Sequence, residues 1–274
     1  MKKFIIFGLS ILFAASFMLV NEPIFVKKHL AMATETPQKK LMAIVVDDFG
    51  GFERAGVDDL LTSSVPVTCA IIPFADNTQA DYDRATAAGK EVILHMPMQA
   101  HVKLPDSWYG SVFIRNDDTQ AAAVEKLDKC VKSLPNIAGF NIHIGSGVCQ
   151  NVELMKAVYD YANDHNLYFL DSRTIISDKC EEACQASNSI YLGRDVFLEP
   201  SHNRSYKGVT KQLQEGFSIA QEKGYAIVIG HVGPEGGNNT ARAIIDFAKS
   251  IKDSDVEIVA LNRVYEKIKS EQFK

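Results

Sequence analysis

Acidic and histidine residues recur directly after short apolar segments of this chain. Asp47 and Asp48 follow the first such segment, and His95, His143 and His231 follow later ones. Two imidazoles and one carboxylate are a ligand set that leaves positions on a catalytic metal open for water and substrate. Water on such a metal is acidified and becomes a nucleophile at neutral pH. The residue types therefore indicate metal-assisted hydrolysis, with a second carboxylate available as a base.

Three further residues lie where they could support the same chemistry. Asp171 and Glu199 each follow an apolar segment, and Ser146 lies between two glycines after His143. We expect them to contact substrate or to hold the principal residues, and Asp171 is a candidate to keep His231 protonated. Ser146 is not in a Gly-x-Ser-x-Gly motif, so a serine nucleophile is not favoured. The chain also lacks a phosphate-binding loop and a dinucleotide-binding glycine motif.

The apolar segments alternate with polar-patterned segments of helix length. This alternation predicts a mostly parallel sheet covered by helices. Seven or eight such units indicate a single-domain α/β fold, a complete or distorted (β/α) barrel, and a doubly wound open sheet is the alternative. Because the carboxyl ends of parallel strands lie on one face, the acidic and histidine residues should meet in one pocket. The expected strands are 42–46, 67–72, 92–94, 138–142, 167–170, 196–198, 226–229 and 256–261.

The N-terminus has the layout of an export signal. Lys2 and Lys3 precede an apolar run over residues 4–20, and Ala31-Met32-Ala33 fits a small-residue cleavage site. We expect residues 1–33 to be a signal peptide or a retained inner-membrane anchor, 34–40 a connector and 41–274 the folded domain. Both alternatives for the N-terminus place the domain outside the cytoplasm, in the periplasm or another extracytoplasmic space.

The charge bears on possible nucleic-acid binding, and the cysteine count bears on disulfide pairing. The net charge is −5, and no basic run interleaved with aromatic residues is present, which argues against a nucleic-acid partner. The five cysteines are an odd number, so at least one thiol is free or pairs outside the chain. Cys180 and Cys184 are four residues apart and could form a local bridge, while the other cysteines are expected to be small buried residues.

Several motifs resemble those of a known family. Asp47-Asp48-Phe49-Gly50 after an apolar strand resembles the Asp-Asp-Gly signature of polysaccharide deacetylases. The segment from Ala88 to His95 is similar to their second motif, in which a glycine and a glutamate precede a metal-binding histidine. From Leu41 to about Leu261 the chain is more similar still to the divergent polysaccharide deacetylases. The matching stretches are 44–50, 91–98, 139–146, 167–174, 194–198 and 226–231.

The resemblance implies a distorted (β/α) barrel that hydrolyses N- or O-linked acetyl groups on an envelope or extracellular glycan, usually with zinc. It implies that Asp47 is the general base, that Asp48 and His95 bind the metal, and that His231 is the general acid.

One position departs from the ordinary polysaccharide deacetylases, because Gln99 stands where they have a second metal-binding histidine. His143, in a motif of the divergent branch, is the expected replacement ligand. Two other functions stay open at this point. The chain could be a catalytically inactive glycan-binding or scaffolding protein that keeps the fold, or a metal-dependent phosphoesterase. Retention of both Asp47 and His231 favours an enzyme.

Overall fold

A computed structural model describes residues 39–200 and 203–272. The expected signal peptide or anchor lies outside these residues. Within them, no helix has both the length and the apolar character needed to cross a membrane. The elements are β1 (Lys40–Phe49), α1 (Val57–Thr62), β2 (Thr68–Ile71), α2 (Thr78–Ala87), β3 (Glu91–Met98), α3 (Gln120–Lys132), β4 (Gly139–Ile144), α4 (Val152–Asp164), β5 (Tyr168–Asp171), α5 (Lys179–Ala186), β6 (Leu192–Gly193), β7 (Val196–Phe197), α6 (Tyr206–Lys223), β8 (Tyr225–His231), α7 (Gly237–Ser250), β9 (Val256–Val259) and α8 (Leu261–Gln272).

The strands form one parallel sheet that curls into a half-barrel. Their order is β6-β5-β4-β3-β2-β1-β8-β7, and β9 pairs with the first residues of β1. No described pairing joins β6 to β7, so the barrel stays open between them. The predicted distorted (β/α) barrel is therefore confirmed. The predicted strands do not include β6, which has two residues, and α8 begins at Leu261, the residue at which the last predicted strand ends.

The alternation of side chains along β1 decides which residues face the inside of the half-barrel. Leu41, Ala43 and Val45 belong to an inner apolar cluster, whereas the residues between them pack into the larger cluster under the helices. Successive side chains of a strand point to opposite faces. Asp47 therefore continues the inner row at the carboxyl end of β1.

The same alternation applies to two other strands. Ile93 of β3 and Ile229 of β8 are inner-cluster residues, and His95 and His231 each follow two positions later. Parallel pairing places β8 directly beside β1, with His231 in register with Asp47. The buried apolar rows thus end in three polar residues at one rim.

All five cysteines are buried and carry free thiols. Cys180 and Cys184 lie on the buried face of α5, as their spacing suggested, but the expected bridge between them is not formed. Residues four apart on a helix have Cβ atoms about 5–6 Å apart. A disulfide needs Cβ atoms about 3.5–4.5 Å apart, so an undistorted helix does not permit this bridge.

Candidate active site

The end of β1 turns so that two adjacent carboxylates reach the same pocket. Asp47 is buried on the inner face, and Asp48 has a positive φ of 69°, which rotates its side chain inward as well. Gly50 follows with a φ of 85°, and its N–H donates to buried Asp81 at 2.7 Å. The left-handed backbone at Asp48 is costly for a residue with a side chain, and such strain collects at functional sites.

Three potential metal ligands converge beside this turn. The Oδ1 atom of Asp48 lies 3.4 Å from Nε2 of His95 and 3.3 Å from Nδ1 of His143. The two ring nitrogens are 3.1 Å apart. Ligands of a tetrahedral zinc ion, each about 2.0–2.2 Å from the metal, are separated from one another by about 3.3–3.6 Å. The three atoms therefore have nearly the spacing that one zinc ion requires.

Hydrogen bonds on the far side of each ring assign the imidazole tautomers. Nδ1 of His95 donates to Oδ1 of Asn141 at 2.7 Å, and Nε2 of His143 donates to the carbonyl of Trp108 at 3.1 Å. The nitrogens that face each other are then unprotonated in the neutral rings. Asp48 Oδ1 is buried and receives no hydrogen bond from a described residue. Three electron-pair donors around one point fit a bound cation, so Asp48, His95 and His143 could hold a metal.

Asp47 lies between this cluster and His231. Its Oδ2 atom is 3.8 Å from Nε2 of His95 and 3.9 Å from Nε2 of His231. Its other oxygen accepts a hydrogen bond from Nδ2 of Asn141 at 2.8 Å. The fully buried Asn141 amide thus contacts His95 through its oxygen and Asp47 through its nitrogen. One side chain orients both residues.

Glu199 holds His231, and the prediction that Asp171 does so is wrong. Glu199 is 1% exposed, and its Oε2 atom lies 3.0 Å from Nδ1 of His231. Burial by itself would lower the pKa of the imidazole. The hydrogen bond to Glu199 and the carboxylates of Asp48 and Asp47 outweigh burial and raise the pKa of His231 to about 9. His231 is therefore an imidazolium at neutral pH, with Nε2 directed toward Asp47.

The two adjacent carboxyl groups differ in proton affinity. Burial is the largest influence on Asp47 and raises its pKa, against the opposing effects of His95, His231 and Asn141. Burial would also raise the pKa of Asp48, but the hydrogen bonds that His143 and His95 can donate when they are protonated, together with the charge of His231, outweigh burial. The pKa of Asp48 lies well below its ordinary value. A carboxylate that stays ionised suits a ligand, and one with a raised pKa suits a base.

These side chains form one wall of a cavity of about 780 Å³ at the open rim of the half-barrel. The aromatic rings of Trp108 and Phe197 line it, and Trp108 is 59% exposed. Pro234 and Glu235, in the glycine-rich loop after His231, also line the cavity. The remaining lining residues are Ile142, Ile144, Ser172, Arg173, Thr174, Arg194 and Ile229. A concave pocket of this volume that combines apolar and aromatic walls with converging polar side chains is typical of a small-molecule site.

The residues expected in supporting roles lie outside the lining of this cavity. The Oδ2 atom of Asp171 accepts from the hydroxyl of Tyr191 at 2.8 Å, on the opposite face of β5 from the inner residue Leu170. Ser146 Oγ contacts Nδ1 of His101 at 3.0 Å. Glu199 is covered by protein and supports His231, so it does not contact substrate.

Gln99 does not join the ligand cluster. Its side-chain oxygen accepts from the backbone N–H of Asn116 at 2.8 Å, just beyond the end of β3. Its backbone carbonyl accepts from Gly147 and Val148, which connects this segment to the turn after β4. His143 lies in register with Pro97 on the neighbouring strand and supplies the third ligand.

Five residues of the site were not among the predicted site residues: Asn141, Trp108, Arg173, Arg194 and Phe197. Asn141 could have been found, since it lies two positions before His143 on the same strand and so shares its face. Trp108 precedes the helix-length segment and has no periodic signal. The two arginines were within the family-like stretches, but nothing in their spacing placed them in the pocket.

Comparisons with known proteins agree with this architecture. The chain is 28% identical over 209 residues to the uncharacterized protein YibQ of Escherichia coli K12, which covers 75% of this chain and 62% of YibQ. It is 29% identical over 233 residues to an uncharacterized protein of Haemophilus influenzae, covering 83% of this chain and 77% of that protein. The solved structure of the uncharacterized protein ATU2773 from Agrobacterium tumefaciens C58 superposes with a TM-score of 0.75 at 18% identity, covering 84% of this chain and 91% of that one.

The chain spans less than two thirds of the length of YibQ. The family assignment does not depend on that coverage, because the family model of the divergent polysaccharide deacetylases matches residues 44–265, from the middle of β1 into α8. The chain belongs to the divergent polysaccharide deacetylase family.

Proposed function

We propose that this protein is a metal-dependent hydrolase that removes N- or O-linked acetyl groups from a glycan outside the cytoplasm. The observation that carries the proposal is the spacing of Asp48 Oδ1, His95 Nε2 and His143 Nδ1, with Asp47 and His231 beside them. The proposed cofactor is zinc, because two imidazoles and one carboxylate are a zinc ligand set that leaves an open coordination position.

The ligand residues and the residues behind them have distinct tasks. Asp48, His95 and His143 would hold the cation, while Asn141 and the Trp108 carbonyl keep the two rings turned toward it. A bound divalent cation would polarise the acyl carbonyl and lower the pKa of the attacking water. The pocket opens on the same side, so the acyl group can reach this point from the cavity.

Asp47 and His231 are suited to move the two protons that hydrolysis requires. Asp47 is positioned by Asn141 to accept the proton of the attacking water. In the metal-free protein His231 carries a proton on Nε2 at neutral pH, and it lies on the other side of Asp47, where it can donate to the leaving nitrogen or oxygen. Glu199 stabilises the imidazolium from behind.

The cavity walls favour a sugar as the substrate. Exposed Trp108 presents an aromatic surface at the pocket, and Phe197 presents another. The apolar C–H face of a pyranose packs on such surfaces, while its hydroxyl groups need polar partners at the rim. Ser172 and Thr174 line the same cavity and offer hydroxyl groups.

Acetate release tests the proposal directly. We would load the full chain with zinc and incubate it with N-acetylated glucosamine oligosaccharides and with O-acetylated xylan. Acetate release that disappears with a chelator, returns with zinc, and persists in the distant control variant His165→Ala would support deacetylation. Binding of these glycans without acetate release would instead favour the inactive glycan-binding alternative. Hydrolysis of phosphate esters alone would favour the phosphoesterase.

A further inference from the structure

Two arginines in the cavity have no acidic partner. Five described arginines form ion pairs with a carboxylate: Arg54, Arg84, Arg115, Arg204 and Arg242. Among the described residues, Arg173, Arg194 and Arg263 form none. Arg173 and Arg194 both line the cavity that holds the metal-ligand cluster. Unpaired guanidinium groups in a pocket are suited to bind an anion that arrives with the ligand.

A hydrogen-bond network positions Arg173. Its backbone N–H donates to Oδ1 of Asp171 at 2.8 Å, and its Nε donates to the hydroxyl of Tyr191 at 3.4 Å. The same hydroxyl donates to Oδ2 of Asp171. Arg173 has a φ of 48°, a left-handed conformation that costs a non-glycine residue of order 1–3 kcal/mol. Asp171 stabilises this turn, so the predicted site residue acts on the pocket through Arg173.

Arg194 lies beside Arg173 and is held by the same segment. Its Nε donates a hydrogen bond to the carbonyl of Ser172 at 2.7 Å, and its Nη2 donates one to the carbonyl of Arg173 at 2.9 Å. Its guanidinium carbon lies 4.9 Å from the centre of the Phe197 ring. The Nη1 group of Arg194 and both Nη groups of Arg173 make no hydrogen bond to a described residue. They remain available for a ligand.

No close ion pair neutralises these two arginines, although the carboxylates of Asp171 and Asp195 act on Arg173 from farther away and those of Asp171 and Asp47 act on Arg194. Asp48 faces His95 and His143, where a cation would neutralise it. Asp47 lies near the imidazolium of His231, and Glu235 forms an ion pair with Arg204 at 2.7 Å. No other acidic side chain lines the cavity among the described residues. The side of the cavity formed by Arg173 and Arg194 therefore attracts negative charge.

We propose that Arg173 and Arg194 bind a carboxylate or phosphate group of the substrate, so that the pocket takes an acidic acetylated sugar in preference to a neutral one. The inference rests on the proposed function, because it assigns the substrate class of the same pocket. Carboxylate and phosphate share one feature: two negatively charged oxygens on the same atom. The planar guanidinium group can donate one hydrogen bond to each of these oxygens.

Binding of matched sugars tests this assignment. The neutral probe is N-acetylglucosamine. The acidic probes are its 6-carboxylate, its 3-O-lactyl ether and its 6-phosphate, which separate carboxylate from phosphate and one ring position from another. Calorimetry with zinc-loaded protein should give at least one acidic sugar an affinity roughly 10–100-fold above the neutral sugar, the range expected for charge-assisted hydrogen bonds. Arg173→Gln should remove most of that advantage, because it should lower the affinity for the acidic sugar by a much larger factor than the affinity for the neutral sugar.

Arg263→Gln is the matched control, because Arg263 also lacks an ion pair but lies on α8, outside the cavity. It should keep the full preference. Equal affinity for acidic and neutral sugars, failure of every acidic sugar to bind, or an unchanged preference in Arg173→Gln would overturn the inference. Acetate release without a preference for acidic sugars would contradict the inference but support the proposed function. Arg173-dependent binding of an acidic sugar without acetate release would support the inference but contradict the proposed function.

Discussion

The Nδ1 atom of His143 lies 3.1 Å from the Nε2 atom of His95, and neither nitrogen carries a proton in the neutral tautomers assigned from the hydrogen bonds of the two rings. Two lone pairs at this separation repel unless a proton or a cation lies between them. The ligating atoms are thus specified: Nε2 for His95 and Nδ1 for His143.

Amide substitutions can test which ring nitrogen binds the metal. The amide of asparagine reaches about as far as Nδ1 of histidine, and that of glutamine about as far as Nε2. His143→Asn should therefore keep more zinc affinity than His143→Gln, whereas His95→Gln should keep more than His95→Asn. The weaker variant of each pair should lose at least the roughly 10–100-fold seen when a supporting residue is lost. Zinc dissociation constants from chelator competition give the measurement.

His165→Asn is the control for these substitutions, because His165 caps α4 and its Nδ1 contacts the carbonyl of Tyr161. Its zinc affinity should equal that of the unmodified protein. The reverse order at either ligand position would show that the assigned nitrogen is wrong. Zinc affinity equal to that of the unmodified protein in all five variants would remove the proposed metal site.

Two substitutions of Asn141 should distinguish its effect on metal affinity from its effect on turnover. Asn141→Ala removes the acceptor for His95 and the donor to Asp47, and zinc affinity should fall about 10–100-fold. Asn141→Asp keeps the acceptor but places a carboxylate where Asp47 had a donor. It should bind zinc more tightly than Asn141→Ala, yet remain slow in acetate release at saturating zinc. Asn163→Ala, whose amide contacts Ser187 and Ser189 outside the cavity, should change neither quantity.

The roles of Asp47 and His231 can be tested by turnover at constant metal content. Asp47→Asn and His231→Gln should each lower kcat about 10²–10⁴-fold, while zinc remains bound, because each removes one proton transfer. The double variant should lose far less than the product of the two effects, since residues that act together are not additive. Loss of zinc in either variant would make that residue a ligand. Unchanged kcat in both would leave them without an acid–base role.

The strand assignments and residue types alone predicted much of the site, because alternation along a parallel strand fixes which side chains share a face. Asp47, His95 and His231 follow apolar inner-row residues two positions earlier on their strands, whereas His143 follows the buried amide of Asn141. The same rule places Asp171 one residue after the inner residue Leu170, and therefore on the other face of the strand. Alternation alone thus argues against the prediction that Asp171 contacts His231.

Other features depend on backbone geometry that the sequence does not display. Asp48 should face away from the pocket by alternation and reaches it because of its positive φ. Glu199 lies two residues after β7 and reaches His231 because β7 pairs with β8. Since β7 has only two residues, the alternation of its side chains could not predict which strand it pairs with. Arg173 enters the pocket from a left-handed turn that no glycine marks.

Export remains a prediction that a reporter can test. Residues 1–40 fused to an enzyme that is active only outside the cytoplasm should give activity, because the charged start and apolar run have the layout of a signal. Leu12→Arg in the same fusion interrupts the apolar run and should abolish that activity. An N-terminus at Thr34 in the recovered protein would indicate cleavage, and an intact N-terminus in the membrane fraction would indicate an anchor. A well-expressed but inactive fusion would contradict export.

His231 should give the metal-free protein a specific dependence of stability on pH. Its pKa is about 9 in the folded protein and 6.5 for a model histidine. Between these values the folded state keeps a proton that the unfolded state has lost, so the free energy of unfolding falls as pH rises. The stabilisation is fully present below about pH 6.5 and is lost as pH passes through about 9, with an upper bound of about 3 kcal/mol.

Urea unfolding at several pH values in the presence of a chelator measures this effect, since a bound cation would change the charge beside the imidazole. The stability difference between the unmodified protein and His231→Gln should be largest near pH 6 and should shrink toward pH 9. Glu199→Gln removes the carboxylate that holds the imidazolium, so it should flatten the dependence while leaving His231 in place. An NMR titration of the His231 ring should give the raised pKa independently. Parallel stability curves for the unmodified protein and His231→Gln across this range would mean that His231 is not a buried imidazolium, and the acid role proposed for it would lose its basis.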